Sequence, residues 1–121
     1  MSAAKVIVKK VAAYPIPVQL QDRNGVTPGN IVKLTQVGAL VETVRNLPLG
    51  SNYTLTFALP LLEHSVSCSG IVVKGYTRFG GLVEGMKSNA LNEIQIKNIS
   101  ETDRGYIVEF LNQLKRAEKK D

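Results

Sequence analysis

Residues 53 to 60, YTLTFALP, place Tyr53, Leu55, Phe57 and Leu59 at every second position against Thr54, Thr56 and Ala58. Period two sends successive side chains to opposite faces of a strand, and the same period governs most of the chain. In 14 to 21, Ile16, Val18 and Leu20 alternate among two prolines and polar residues, which suits an edge strand. A polar turn, DRNG, follows, and the Gly and Pro of NGVTPGN predict a hairpin or loop over 22 to 30. The run IVKLTQVGALVETV is too long for one average strand and divides at Gly38 into a strand, a bulge or kink, and a second strand. After a turn at NLPLGSN comes the 53 to 60 strand, then a long, partly buried strand over 65 to 79. NEIQIKNIS, 92 to 100, closes the series.

Only the last segment changes period. Ser100 stands where an N-cap would, with Glu101 and Asp103 in the first turn, where negative side chains suit the helix dipole. Ile107, Phe110, Leu111 and Leu114 follow at i, i+3, i+4 and i+7, which puts four apolar side chains on one helical face. Gly105 weakens such a helix by about 1 kcal/mol relative to alanine, too little to prevent it. The spacing therefore predicts a helix over about 101 to 117. The chain reads as mainly β, six or seven strands with one C-terminal helix over 14 to 118, preceded by a basic arm or short strand over 1 to 13. A length of 121 residues suits one compact domain able to bury its own core.

Charge and rare residues narrow the chemistry. The net charge is +5, and the excess lies in the first fifty residues, with six basic side chains to two acidic ones. A modest basic patch attracts phosphate groups or simply keeps a surface soluble. Cys68 is the only cysteine, so no internal disulfide forms and a reducing compartment suits the chain. Within its strand it reads as a small buried hydrophobe. No run approaches the roughly 20 apolar residues of a membrane helix, and a cytoplasmic location is expected. His64, the one histidine, lies in the turn LEHS without the neighbours that a metal site or a catalytic triad needs. Nothing assembles a nucleophile, a base and oxyanion donors, so no enzyme activity is expected. GYTRFGG, 75 to 81, pairs Tyr76 and Phe79 with Arg78 in a Gly-rich loop of the kind that contacts RNA bases or a protein partner.

The order of these signals resembles the PilZ domain family. LPLGSNYTLTFALP followed by VSCSGIVV is similar to the family's central strands, and IQIKNISETDRGYIVEFLNQL to its final strand and helix. The likeness runs from about Pro15 to Leu114 and implies a small antiparallel β-barrel of six or seven strands with one C-terminal helix. It also implies binding of the second messenger cyclic di-GMP, through residues that can be matched one at a time. The family's Asp/Asn-x-Ser-x-x-Gly motif falls on residues 33 to 38. Gly38 is kept, Thr35 keeps a hydroxyl, and Lys33 replaces an acceptor with an ammonium that has three donors and no acceptor. The Arg-x-x-x-Arg motif falls near Ile7 and Val11, with Lys9 and Lys10 between them and no arginine in residues 1 to 22. Lysine neutralises a phosphate as a point charge but cannot make the bidentate, stacking contact of a guanidinium.

Lys9, Lys10, Lys33, Thr35 and Gly38 are thus the candidate ligand residues of a degenerate site. The expected role is a non-catalytic adaptor that binds another protein in bacterial motility, pilus or surface-behaviour signalling, with no cofactor and without tight cyclic di-GMP binding. Two alternatives stay open. One is a cyclic di-GMP receptor using Lys9, Lys10 and Thr35; the other is a small basic barrel binding single-stranded nucleic acid.

Overall fold

A computed structural model describes residues 13–79 and 88–120, and the N-terminal segment with Lys9 and Lys10 lies outside the described residues. Six strands follow in chain order: β1 (Ile16–Asp22), β2 (Gly25–Leu34), β3 (Gly38–Thr43), β4 (Asn52–Leu59), β5 (His64–Phe79) and β6 (Ser88–Asn98). The helix α1 (Glu101–Lys120) ends the chain. The strands close into a barrel in the order β1-β2-β3-β6-β5-β4, every neighbouring pair antiparallel.

Alternation fills the interior. β1 sends Ile16, Val18 and Leu20 inward, β4 sends Tyr53, Leu55, Phe57 and Leu59, and all seven are buried. Ile31, Val41, Val66, Val72 and Ile94 complete the core from the other strands. Cys68 is buried with them, as its place in an alternating strand predicted. The one fully buried polar side chain, among the described residues, is Asn92. Its Nδ2 donates to the Val41 carbonyl at 3.1 Å and to Thr43 Oγ1 at 2.9 Å, and its Oδ1 accepts from the Leu47 N–H at 3.1 Å. The amide is satisfied by a segment 45 residues away, which it fastens across the end of β3.

α1 lies at the barrel end where β1 begins, β2 turns into β3 and β5 begins. Asp103 N–H donates to Ser100 Oγ at 3.0 Å, which confirms the N-cap. Ile107 and Phe110 are wholly buried, Leu111 and Leu114 pack beside them, and the Tyr14 ring meets Phe110 edge-on at 6.3 Å. Asp103 fixes the helix to the barrel: its Oδ1 lies 2.9 Å from His64 Nε2 and its Oδ2 accepts from the Ser67 N–H at 3.2 Å. The Tyr106 ring stacks on His64 with centroids 3.6 Å apart.

The six strands fall within the expected six or seven, and three other expectations change. Residues 25–30, assigned to a hairpin or loop over 22 to 30, form the first half of β2 by pairing with β1 across a tight turn at 23–24, while β3 joins β2 only from Asn30 onward. Pro28 therefore sits where one edge of β2 has no strand beside it and a missing N–H costs nothing. The break in 31 to 44 is a complete hairpin turn at Thr35–Val37, while the bulge lies earlier, between Ile31 and Lys33. Finally, His64, expected in a turn, opens β5 after the turn at 60–63, and β5 runs to Phe79 as expected of the strand over 65 to 79, so that the first five residues of GYTRFGG, read also as a loop, are strand paired with β6.

Removing the Phe110 ring should open a cavity between helix and barrel. Phe110→Ala is expected to lower stability by about 3–5 kcal/mol in urea unfolding. A loss below about 1 kcal/mol would mean that α1 does not close the core.

Candidate functional site

The three described candidate residues converge on the outside of the barrel. Lys33 is exposed on β2, Thr35 lies in the turn and Gly38 opens β3. All three line an open groove of about 920 Å³ that crosses β3, β6 and β5. Strand register lays out its floor: Lys33 opposite Leu40, Leu40 opposite Glu93, and Glu93 opposite Lys74 form one row. Leu91 and Tyr76 stand opposite each other one row further, with Val37 and Val73 also on the lining.

Much of the motif's geometry serves its own turn. Thr35 N–H donates to the Gly38 carbonyl at 2.9 Å, and Thr35 Oγ1 donates to the same oxygen at 3.2 Å. That hydroxyl also accepts from the N–H groups of Val37, at 3.2 Å, and Gly38, at 3.1 Å. A threonine hydroxyl has one donor and two acceptor positions, and all three are engaged. Gly38 answers to packing: a Cβ there would stand 2.7 Å from the Ile94 carbonyl oxygen of β6, closer than real Cβ atoms approach. Gly70 meets the same constraint from β5, where a Cβ would lie 2.7 Å from Ile94 Cγ2.

The turn is tied to segments near both ends of the described chain. Leu34 N–H donates to Tyr14 Oη at 3.2 Å, and Arg104 Nη1 of α1 donates to the Gln36 carbonyl at 3.4 Å. The groove is electrostatically mixed, with Lys33 and Glu93 on its lining, and the rest of that lining is largely apolar. Sequence reasoning missed this apolar lining because Leu40, Leu91, Val73 and Tyr76 come from three strands and meet only through register. It also missed Asp103 as a link to His64 and Ser67, having read it as a helix-start acid alone. Among the described residues no three His, Cys, Asp or Glu side chains gather as a metal site, and no helix is long and apolar enough to cross a membrane.

Beneath the Asp103 link, burial pushes the Cys68 thiol up to about 11, and the nearby Asp103 carboxylate adds to the effect. In the unfolded chain the thiol ionises near 9, so between 9 and about 11 the unfolded state binds fewer protons and stability falls as pH rises. Cys68→Ala should flatten that fall relative to the parent protein in urea titrations across this range, and parallel curves would refute the assignment. Gly38→Ala should cost about 1–3 kcal/mol by forcing β3 from β6; a neutral substitution would show that the strands can part freely.

Comparison with known proteins adds a family and a set of folds. The PilZ domain model matches residues 10–113. Among solved structures, the K. pneumonia MrkH–c-di-GMP complex superimposes with a TM-score of 0.73 at 16% identity, covering 93% of this chain and 52% of that one. The PilZ domain of YcgR from Escherichia coli, solved with c-di-GMP, gives 0.69 at 11% identity, covering 87% and 85%. The Bacillus subtilis inhibitor of motility, MotI/DgrA, gives 0.69 at 14% identity, covering 91% and 51%. The chain thus spans about half the length of the MrkH and MotI chains. Among curated proteins, none matches it in sequence.

Proposed function

The chain belongs to the PilZ domain family, and we propose that it is a non-catalytic regulatory adaptor that docks to another protein, without tight binding of cyclic di-GMP. Its setting is bacterial motility, pilus or surface-behaviour control in the cytoplasm. The observation that carries this reading is Lys33 on the groove wall. A guanine edge offers N–H donors, and an ammonium at that position answers donors with donors. Leaving such groups unpaired costs about 1–3 kcal/mol each.

Two further features support it. The Thr35 hydroxyl is already spent on its own turn. The motif that usually supplies two guanidinium forks contains lysines at 9 and 10 and no arginine. Together these losses amount to at least ~10³-fold in affinity, the equivalent of about 4 kcal/mol. MrkH and YcgR were solved with c-di-GMP bound, and in this chain the same fold supplies a groove whose lining suits apolar side chains better than a dianionic dinucleotide.

An amide NMR titration with cyclic di-GMP at low salt tests the reading. No shifts up to millimolar ligand are expected. Installing Lys33→Asp with Ile7→Arg and Val11→Arg should bring binding into the micromolar range. Shifts on residues 5 to 11 and 33 to 38 of the unaltered protein at micromolar ligand would make it a cyclic di-GMP receptor working through Lys9, Lys10 and Thr35, and would overturn the adaptor reading.

A further inference from the structure

The barrel is closed along most of its height but not at the end away from α1. There β5 outruns its neighbour: β4 pairs with β5 only as far as Asn52 and Ile71, and the last backbone bonds on that side join Val72 to Gly50 and Ser51. From Val73 to Phe79, β5 is paired on one edge with β6, through Lys74 and Glu93 to Phe79 and Ser88. On the other edge no strand lies beside it among the described residues. Val73, Lys74, Gly75 and Tyr76 are all exposed, Val73 at 45% and Tyr76 at 43%. Four consecutive exposed residues mean that both faces and the free edge of the strand meet solvent.

Such an edge presents alternating N–H and C=O groups in the register of a missing strand. Its charge selects what can fill it. The stretch from 73 to 79 contains Lys74 and Arg78 and no acidic residue. The Lys74 ammonium lies 5.7 Å over the Tyr76 ring, and Glu93 stands opposite Lys74 on β6, on the side away from the free edge. Two copies of this edge would set cations against cations, which disfavours self-pairing. A nucleic acid would meet the charge but has no backbone able to satisfy a β-ladder. An extended acidic peptide satisfies both.

We propose that β5 from Val73 to Phe79 is a strand-addition site that takes an extended, acidic segment of a partner protein, its backbone continuing the sheet and its carboxylates facing the basic edge. Apolar residues of that segment pack on Val73 and Tyr76, which join the edge to the groove. This rests on the adaptor reading and supplies the surface and the partner chemistry that reading leaves open.

The test uses the whole isotope-labelled protein and a seven-residue peptide alternating glutamate and valine, followed by amide NMR and hydrogen exchange. Expected are shifts and new exchange protection at 73–79, with the matching lysine–valine peptide and an alternately N-methylated glutamate–valine peptide both inactive. Lys74→Glu should weaken the glutamate peptide by roughly tenfold, the effect of reversing one exposed charge pair. Shifts elsewhere, equal binding of the lysine peptide, retention of binding after N-methylation, or tighter binding of a thymidine oligonucleotide at the same amides would each overturn the proposal. Its failure is separable from that of the adaptor reading, which stands or falls on cyclic di-GMP alone.

Discussion

β6 packs closely against both of its neighbours in the barrel because Gly38 on β3 and Gly70 on β5 carry no side chain where they pass Ile94. Gly38 on β3 and Gly70 on β5 approach this residue from either side, one against its carbonyl oxygen and the other against its side chain. Strands lie about 4.8 Å apart in a sheet, which leaves no room for a Cβ at either contact. A methyl group at either position would have to push β6 outward, and the ladder running from β3 through β6 to β5 would open. The rest of the architecture follows: Val41, Val72 and Ile94 meet in the interior only while these three strands hold their spacing.

That constraint also shapes the surface. With no side chain at Gly38, the outer floor beside the Thr35 turn is low, and Leu40, Leu91, Val73 and Tyr76 stand around it. The turn cannot drift, because Tyr14 holds its beginning and Arg104 its carbonyl side. At the same end of the barrel, Asp103 joins the helix start to His64 and Ser67, so helix, turn and β5 form one fixed unit. At the opposite end Asn92 fastens the segment after β3. Rigidity is thus concentrated where the chain is most closely packed, and β5 beyond Val72 stands outside it.

The sequence revealed those features that depend on neighbours along the chain. Alternation in Tyr53 to Leu59 named four core residues, and the spacing of Ile107, Phe110, Leu111 and Leu114 named the helical face. Ser100 was legible as a cap because the bond it makes lies three residues away. What stayed hidden depends on register between distant segments. Pro28 and Gly29 read as a loop because local rules penalise them in a strand, and only the late start of β3 pairing removes the penalty for Pro28. Asp103 and His64 are 39 residues apart, and Asn92 and Leu47 are 45 apart, so neither pair leaves a pattern in the chain. Of the candidate site, the residues at 33, 35 and 38 could be found by their motif, whereas the apolar wall opposite them could not.

A ligand motif persists for two separable reasons, chemistry and geometry, and here they come apart. On the adaptor reading, the groups that would answer a nucleotide depart from the family's motifs: Lys33 stands at the acceptor position, and residues 1 to 22 hold lysines and no arginine. The groups that set the backbone are intact, since Thr35 closes the turn with three hydrogen bonds and Gly38 admits β6. These contacts account for Thr35 and Gly38 through the fold alone, with no ligand required. On that reading the surface offers a partner apolar side chains, a basic margin and one strand edge with no strand beside it among the described residues. Backbone hydrogen bonds from an added strand give affinity with little demand on sequence, and charge then supplies the choice of partner.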